Sequence, residues 1–178
     1  MSSVVRANIW QNSSGTPYGT VLQVVQAIKT DTFSSAHTGS FIDIPGLSLS
    51  ITPTSVSSRI FIFCNIGIVH AWNSGRDRST SFKVFRNNAD TRIGDASGSR
   101  QRALFRTGSS EADSNHGYGA SFNFVDVPNT TSALTYKLSC FPESGATVYI
   151  NRTTNDENVN DAYGSRVVSS LIAMEIQA

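Results

Sequence analysis

The segment Arg59–Val69, which reads R-I-F-I-F-C-N-I-G-I-V, constrains the fold of this chain more than any other. Its even-numbered positions from residue 60 to 68 are all apolar, which is the alternation of a β-strand with one face in a core. Phe61 and Phe63 occupy odd-numbered positions, so the second face of the same strand is also apolar. A strand with one face in water does not carry this pattern. The segment therefore predicts a sheet covered on both faces, and copies of the same chain are the simplest outer cover.

Further short runs of β-branched and aromatic residues occur along the chain, separated by clusters of Ser, Thr, Gly, Asn and Asp. No stretch sustains the 3.6-residue period of an amphipathic helix. The pattern predicts an all-β fold, an antiparallel jelly-roll-like β-sandwich of about 8–10 strands. The predicted strands are Val21–Phe33, Phe41–Ile44, Leu47–Thr52, Ser58–His70, Thr80–Asn87, Thr91–Gly94, Gly119–Val127, Ala133–Phe141, Thr147–Asn151 and Arg166–Gln177.

The core is predicted from residues of the same parity within each strand. Turn residues separate the strands, and Ile44-Pro45-Gly46 is expected to form a tight turn. The predicted core residues are Ile60, Ile62, Cys64, Ile66, Ile68, Phe122, Phe124, Leu134, Tyr136, Leu138, Val148, Ile150, Ile172, Met174 and Ile176.

Length and composition limit the classes of function. A chain of 178 residues fits one domain, and a net charge of +1 with 15% charged residues favours neither nucleic acid nor an anionic membrane as partner. No apolar run is long enough to span a bilayer. The opening M-S-S-V-V-R-A-N-I-W lacks the apolar region of a secretory signal. Cys64 and Cys140 lie on the apolar side of predicted strands, so we expect buried free thiols and synthesis in a reducing cytoplasm.

Residues 1–20 differ from the rest of the chain. They contain Ile9, Trp10, Pro17 and Tyr18 among turn formers, with no period that would build a core. We expect an extended N-terminal arm at 1–20 followed by a β-sandwich head at 21–178. The aromatic residues of the arm would dock either on a partner or on their own domain.

Several segments, taken in order, carry a family resemblance. They are G-T-V-L-Q-V-V-Q-A-I-K-T-D-T-F-S at 19–34, P-G-L-S-L-S-I-T-P-T-S-V-S-S-R-I-F-I at 45–62, I-G-D-A-S-G-S-R at 93–100, T-S-A-L-T-Y-K-L at 131–138 and S-L-I-A-M-E-I at 170–176. Together they resemble bacteriophage virion appendage proteins of marine and cyanobacterial phages, from tail-fibre, baseplate or capsid-decoration families.

The resemblance implies a compact β-sandwich similar to the trimeric heads of the C1q and tumour-necrosis-factor type. It also implies a homotrimer made in the bacterial host cytoplasm and placed on the virion beside capsid, collar or baseplate proteins. Phe61, Phe63 and Tyr149 lie opposite the predicted core faces, so we expect them to line the trimer interface. Ile9, Trp10, Pro17 and Tyr18 are the expected virion attachment residues.

Catalytic signals are weak in this sequence. The histidines at 37, 70 and 116 have no G-x-S-x-G nucleophile motif near them, and both cysteines are expected to be buried. The stretch Asn155–Asp161 is rich in oxygen ligands but lacks the spacing of an EF-hand, so a solvated loop is the favoured interpretation over a calcium site. We therefore expect neither an enzyme, nor a cofactor, nor a bound metal.

Loop residues suggest an alternative function, recognition of a host-surface glycan at one end of the sandwich. Trp72, Tyr118 and Tyr163 lie in or beside predicted loops, where aromatic rings stack on sugars or cap the sandwich. Arg76 belongs to the basic turn Gly75–Arg78, which with other arginines would form a positive patch or pair with local acids.

Overall fold

The computed structural model describes residues 19–108 and 113–177, and these form an all-β molecule. Two antiparallel sheets pack face to face, so the predicted jelly-roll-like β-sandwich is confirmed. A 3-10 turn at Ala162–Gly164 is the one helical element in the described ranges. The strands are β1 Val21–Lys29, β2 Phe33–Ala36, β3 Ile42–Ile51, β4 Arg59–Asn73, β5 Arg76–Asp77, β6 Thr80–Arg86, β7 Ala89–Asp90, β8 Phe105–Thr107, β9 Tyr118–Asp126, β10 Leu134–Pro142, β11 Thr147–Ile150 and β12 Ser169–Ile176.

The first sheet has seven strands and is organised around β4, which is 15 residues long. The first half of β4 lies between β12 and β9, and β1 pairs with the far side of β12. The second half of β4 pairs with β11 and β5, and β2 follows β11. The two halves of β4 therefore have different neighbours and different surroundings.

The second sheet has five strands in the order β3-β10-β6-β7, with β8 on β6. The tight turn predicted at Ile44-Pro45-Gly46 is wrong, because β3 runs through it as one strand. The register against β10 shifts between Lys137 and Ser139, so β3 bulges there, and Gly46 accommodates the bulge with a φ of 83°. A tight turn does form at Asn87 and Asn88, whose φ values of 49° and 66° join β6 to β7.

Two other predicted strand limits differ from the structure. The run Val21–Phe33 divides into β1 and β2, because the chain leaves the first strand after Lys29 and pairs with β11 instead. Residues Thr91–Gly94 do not form a strand, since the β7 pairing ends at Asp90. The arm at 1–20 and the head at 21–178 stay a predicted division, since residues 1–18 lie outside the described ranges.

Most of the predicted core is confirmed. The side chains between the sheets come from the same parity of each strand, as expected. The confirmed buried residues are Ile60, Ile62, Cys64, Ile66, Phe124, Leu134, Tyr136, Leu138, Val148 and Ile150. Phe122 is partly buried against the same cluster.

Four predicted core residues are wrong. In β12 the buried side chains are Ser169, Leu171, Ala173 and Glu175, so the opposite parity, Ile172, Met174 and Ile176, faces outward. In β4 the register against β9 shifts between Ile66 and Val69, and Val69 enters the core in place of Ile68. A one-residue change of this kind moves every later side chain to the other face.

A buried carboxylate explains the parity of β12. Glu175 is fully buried at the edge of the core, and it accepts hydrogen bonds from Thr54 N, Thr54 Oγ1 and Ser58 Oγ at 2.6–2.7 Å. Gln23 Nε2 donates to its other oxygen at 2.6 Å. Burial raises the pKa of Glu175, but these hydrogen bonds outweigh it and lower the pKa to about 2. The carboxylate thus ties β12 to β1 and to the turn after β3.

We expect Glu175→Gln to reduce the free energy of unfolding by about 1–3 kcal/mol at pH 7, because an amide N–H would face donors in a buried site. The native pKa is lowered, so the stabilisation is complete above the ordinary value of 4.5 and declines as the pH falls toward 2. Urea unfolding at several pH values tests this, with Asp95→Asn in an exposed loop as the matched control. A wild type and variant of equal stability at pH 7 would contradict it.

Candidate functional site

Within the described residues 19–108 and 113–177, no segment covers the outer face of the seven-stranded sheet along the first half of β4. The register aligns Val24, Met174, Phe61 and Val125 in one row across four strands. The next row contains Ile172 and Phe63, with exposed Gln26 and Asn123 at its two ends. We call the six apolar residues of these rows the apolar face: Val24, Phe61, Phe63, Val125, Ile172 and Met174.

The apolar face is continuous and uncharged. The rings of Phe61 and Phe63 meet edge to face with centroids 4.3 Å apart, and they are half-buried by their cross-strand neighbours. Val24 remains 55% exposed, and Val125 is exposed as well. Apolar surface arranged in adjacent rows costs free energy in water, and soluble monomers seldom expose large contiguous patches of it. The face has the composition of the centre of a protein interface.

The same outer face is covered along the second half of β4. Gly67 marks the boundary, because a Cβ there would lie 2.7 Å from both Val167 Cγ2 and Val168 O, where the chain crosses the sheet. Beyond this crossing the loop at 151–168, which we call the covering loop, packs over His70. His70 is 1% exposed although it points away from the core. The apolar face therefore ends where this loop begins.

A buried histidine–aspartate pair fastens the covering loop. His70 Nε2 lies 2.9 Å from Asp77 Oδ1, and both residues are buried. The backbone N–H of Thr154 donates to His70 Nδ1 at 3.1 Å, which assigns the ring proton to Nε2 and makes Asp77 its acceptor. Tyr118 donates its hydroxyl to the other Asp77 oxygen at 3.4 Å. The imidazole thus links β4, β5 and the loop.

The carboxylate of Asp77, the imidazole of His70 and the hydroxyl of Thr154 follow one another as the groups of a hydrolase triad do. Thr154 Oγ1 lies 3.1 Å from His70 Nδ1. A general base needs a free lone pair toward its nucleophile. Here the Nδ1 lone pair already accepts the backbone N–H of the same threonine. The geometry is that of a structural anchor for the loop.

The predicted ligand residues do not form one open site. Trp72 packs its ring edge against His70 with centroids 5.5 Å apart, and Tyr118 bonds to Asp77. Arg76 is exposed on β5, beside this anchor. Tyr163 is 39% exposed on the 3-10 turn. Trp72 and Tyr118 thus both contact the buried His70–Asp77 pair.

The predicted interface residues separate into two groups. Phe61 and Phe63 lie in the apolar face. Tyr149 lies on the same side of the sheet but pairs with His70, roughly 20 Å along β4 from Phe63 at about 3.3 Å per residue. The Arg152 guanidinium stacks 4.5 Å above the Tyr149 ring, so this tyrosine belongs to the covered half. The attachment residues Ile9, Trp10, Pro17 and Tyr18 lie outside the described residues.

The oxygen-rich loop engages its acids in local contacts. Asp156 pairs with Arg166 at 2.6 Å and with Arg152 at 3.6 Å, and Asp161 accepts the backbone N–H of Ala162. Within residues 19–108 and 113–177, no three His, Cys, Asp or Glu side chains are grouped as a metal site. In the same ranges no helix has the length and apolar character needed to cross a bilayer.

Both cysteines are free and buried, as predicted. Burial raises the pKa of both thiols, that of Cys140 to about 12. Neither thiol is therefore available as a thiolate nucleophile near neutral pH. The positive patch suggested for the turn Gly75–Arg78 would include Arg100, Arg102 and Arg106. Arg102 bonds to Gly94 O and Arg106 bonds to Ser79 Oγ.

Comparison with known proteins gives structural similarity only. No protein-family model matches the chain, and no curated protein matches it. A VP2 subviral particle of infectious bursal disease virus is similar at 10% identity and a TM-score of 0.35, covering 97% of this chain and 44% of that one. The structure of the Gx strain of this virus is similar at 11% identity and a TM-score of 0.36, covering 99% of this chain and 42% of that one. The structure of the Gt strain is similar at 10% identity and a TM-score of 0.38, covering 97% of this chain and 44% of that one.

The chain thus spans less than half the length of these viral chains. The overlap at these TM-scores is partial and carries no weight for function. The features that bear on function are the two halves of the outer face of the seven-stranded sheet.

We expect His70→Phe to free the covering loop. The change removes the donor to Asp77 and the acceptor of Thr154, which costs about 1–3 kcal/mol for each buried group left unpaired. Hydrogen exchange should quicken over residues 151–156, and urea unfolding should show the loss of stability. His116→Asn, at an exposed histidine, is the matched control. Unchanged exchange in the His70 variant would refute the anchoring role.

Proposed function

We propose that this chain is a structural component of a bacteriophage virion, a homotrimeric tail, baseplate or head-decoration protein that assembles through the apolar face. The observation that carries the proposal is the continuous uncharged surface of Val24, Phe61, Phe63, Val125, Ile172 and Met174 on the outer face of the seven-stranded sheet. A second copy is the occupant that it suits best, because the first row is apolar along its whole length and the second row ends in the polar residues Gln26 and Asn123. Protein interfaces have this arrangement of apolar centre and polar rim.

The family resemblance supports both the virion and the three-fold symmetry. The segments that resemble phage appendage proteins include β1, the start of β4 and most of β12, which carry Val24, Phe61, Ile172 and Met174 of the apolar face. Closed symmetry buries the same patch on every copy and leaves none of it free for further growth. A trimer around the Phe61 and Phe63 rings satisfies both requirements.

Phe61→Glu tests the interface. A carboxylate there would have to be buried without a partner, so we expect the trimer to dissociate into folded monomers at micromolar concentration. Sedimentation velocity measures the mass, and circular dichroism verifies that the strands persist. Val56→Glu, at a residue 60% exposed in the turn after β3, should leave the trimer intact.

Two results would count against the interface. A wild-type chain that sediments as a stable monomer at micromolar concentration would overturn the trimer. A Phe61→Glu variant that stays trimeric would place the contact on another surface.

Attachment to the particle is assigned to the arm, with Ile9, Trp10, Pro17 and Tyr18 as its contact residues. Ordering such a segment costs roughly 1–2 kcal/mol per residue, which contacts with another virion protein would offset. Tryptophan concentrates binding energy at interface centres, so Trp10 is the expected hot spot.

Deleting residues 1–18 should give a folded trimer that no longer enters virions. Quantitative mass spectrometry of purified particles measures its occupancy, and sedimentation of the free protein verifies the trimer. Trp10→Ala in the full chain is the finer variant, with Asn12→Ala as its matched control in the same arm. Normal occupancy of the truncated protein would place attachment on the sandwich.

A further inference from the structure

The outer face of the five-stranded sheet differs in chemistry from the apolar face. Four rings follow one another across it, and we call them the aromatic ridge: Phe85, Phe41, Phe141 and His37. Successive centroids lie 6.1, 5.3 and 5.0 Å apart, so the rings touch in sequence. The three phenylalanines are only partly buried. Ring surface on this face therefore remains accessible to a ligand.

Charged side chains are fixed among these rings. Lys83 Nζ lies 4.7 Å from the Phe41 centroid and 5.7 Å from that of Phe85, and it bonds Asp90 at 3.0 Å. Lys137 Nζ donates to Asp43 at 2.6 Å, and Ser139 Oγ donates to the other oxygen of that carboxylate. These contacts hold the donors and acceptors in place before any ligand arrives.

The ionisation of Asp43 is also fixed. Partial burial raises its pKa, but the hydrogen bonds from Lys137 and Ser139 outweigh this and hold the pKa below its usual value. The carboxylate therefore stays charged at neutral pH and keeps lone pairs available to accept further hydrogen bonds.

Two shallow depressions lie along the ridge. One has a volume of about 140 Å³ and is lined by Phe41, Asp43, Phe85, Asn88 and Lys137. The other has a volume of about 220 Å³ and is lined by Ser79, Ser81, Gln101, Arg106, Phe141 and Glu143. Both are smaller than the roughly 300–1,000 Å³ of a drug-sized ligand site. Each suits one ring-sized unit of a longer ligand.

We propose that the aromatic ridge binds a neutral oligosaccharide, with sugar rings stacked on Phe41 and Phe85 and hydroxyls bonded to Asp43, Lys137 and Asn88. A sugar presents an apolar C–H face and a rim of hydroxyls that both donate and accept. The site offers the complement, because ring faces lie beside a carboxylate, an ammonium and an amide. The second depression, with Gln101 and Glu143, would hold a later unit of the same chain.

The charges of this face favour an uncharged ligand. Lys83 pairs with Asp90, Lys137 pairs with Asp43, and Glu143 lies 4.0 Å from Arg78 and lines the second depression with Arg106. These carboxylates leave little excess positive charge to attract nucleic acid. A protein partner is also disfavoured, since interface centres are depleted in Lys, Asp and Glu. The inference does not depend on the trimer, which uses the other sheet.

The test uses the full chain on a glycan array that carries neutral bacterial surface polysaccharides and linear hexasaccharides of glucose and N-acetylglucosamine. Phe41→Leu and Phe85→Leu keep apolar packing but remove a stacking ring, so each should weaken binding roughly tenfold. Lys137→Gln should weaken it severalfold with little risk to folding. Tyr163→Leu removes an exposed ring elsewhere and should bind as the wild type does.

Three results would overturn the proposal. The first is a wild-type chain that binds no glycan on the array. The second is binding that Tyr163→Leu abolishes and Phe85→Leu preserves, which would place the site in the end loops. The third is a Phe85→Leu variant with a changed mass in sedimentation, which would make the ridge a protein interface. Loss of the trimer in Phe61→Glu with retained glycan binding would leave this proposal standing.

Discussion

The strand β4 determines both the core and the surface of this molecule, because it carries apolar residues on its two faces. Ile60, Ile62, Cys64 and Ile66 fill the space between the sheets, and this burial is the main contribution of the strand to stability. Phe61 and Phe63 then necessarily point outward, and the strands on either side add Met174 and Val125 in register. An outward apolar surface is thus a consequence of using such a strand at the centre of a sheet.

The two outer faces of the sandwich show how the same architecture carries different chemistry. The apolar face has no charged residue in its two rows, so its burial removes water from hydrocarbon at little desolvation cost. The outer face that carries the aromatic ridge also has ammonium and carboxylate groups that are already paired, as Lys83 is with Asp90. Complete burial of such pairs is costly, whereas a hydrated ligand leaves them partly in water. The apolar face therefore suits a large interface that excludes water, and the face that carries the aromatic ridge suits small polar ligands.

The sequence predicts the core where one parity is clearly more apolar, as in β10 and in β4 up to Ile66. It fails in β12, where Leu171 and Ala173 compete with Ile172 and Met174, and the larger residues are the natural choice for a core. The deciding residue is Glu175, which local pattern places in water but four hydrogen bonds hold inside. The contact between His70 and Asp77 could have been predicted from the turn residues Asn73-Ser74-Gly75-Arg76. A two-residue turn there, with positive φ at Ser74 and Gly75, brings the two residues diagonally together.

The covering loop gives the apolar face a definite end. Without it, Trp72 on β4 and Tyr149 on the neighbouring strand β11 would add to the same exposed surface. A longer apolar surface admits several registers between copies, and contacts that do not close lead to open-ended association. The buried imidazole of His70 holds the loop through the Thr154 backbone and so ends the exposed surface near Gly67. A polar anchor inside the fold thus determines where the exposed apolar surface of this sheet stops.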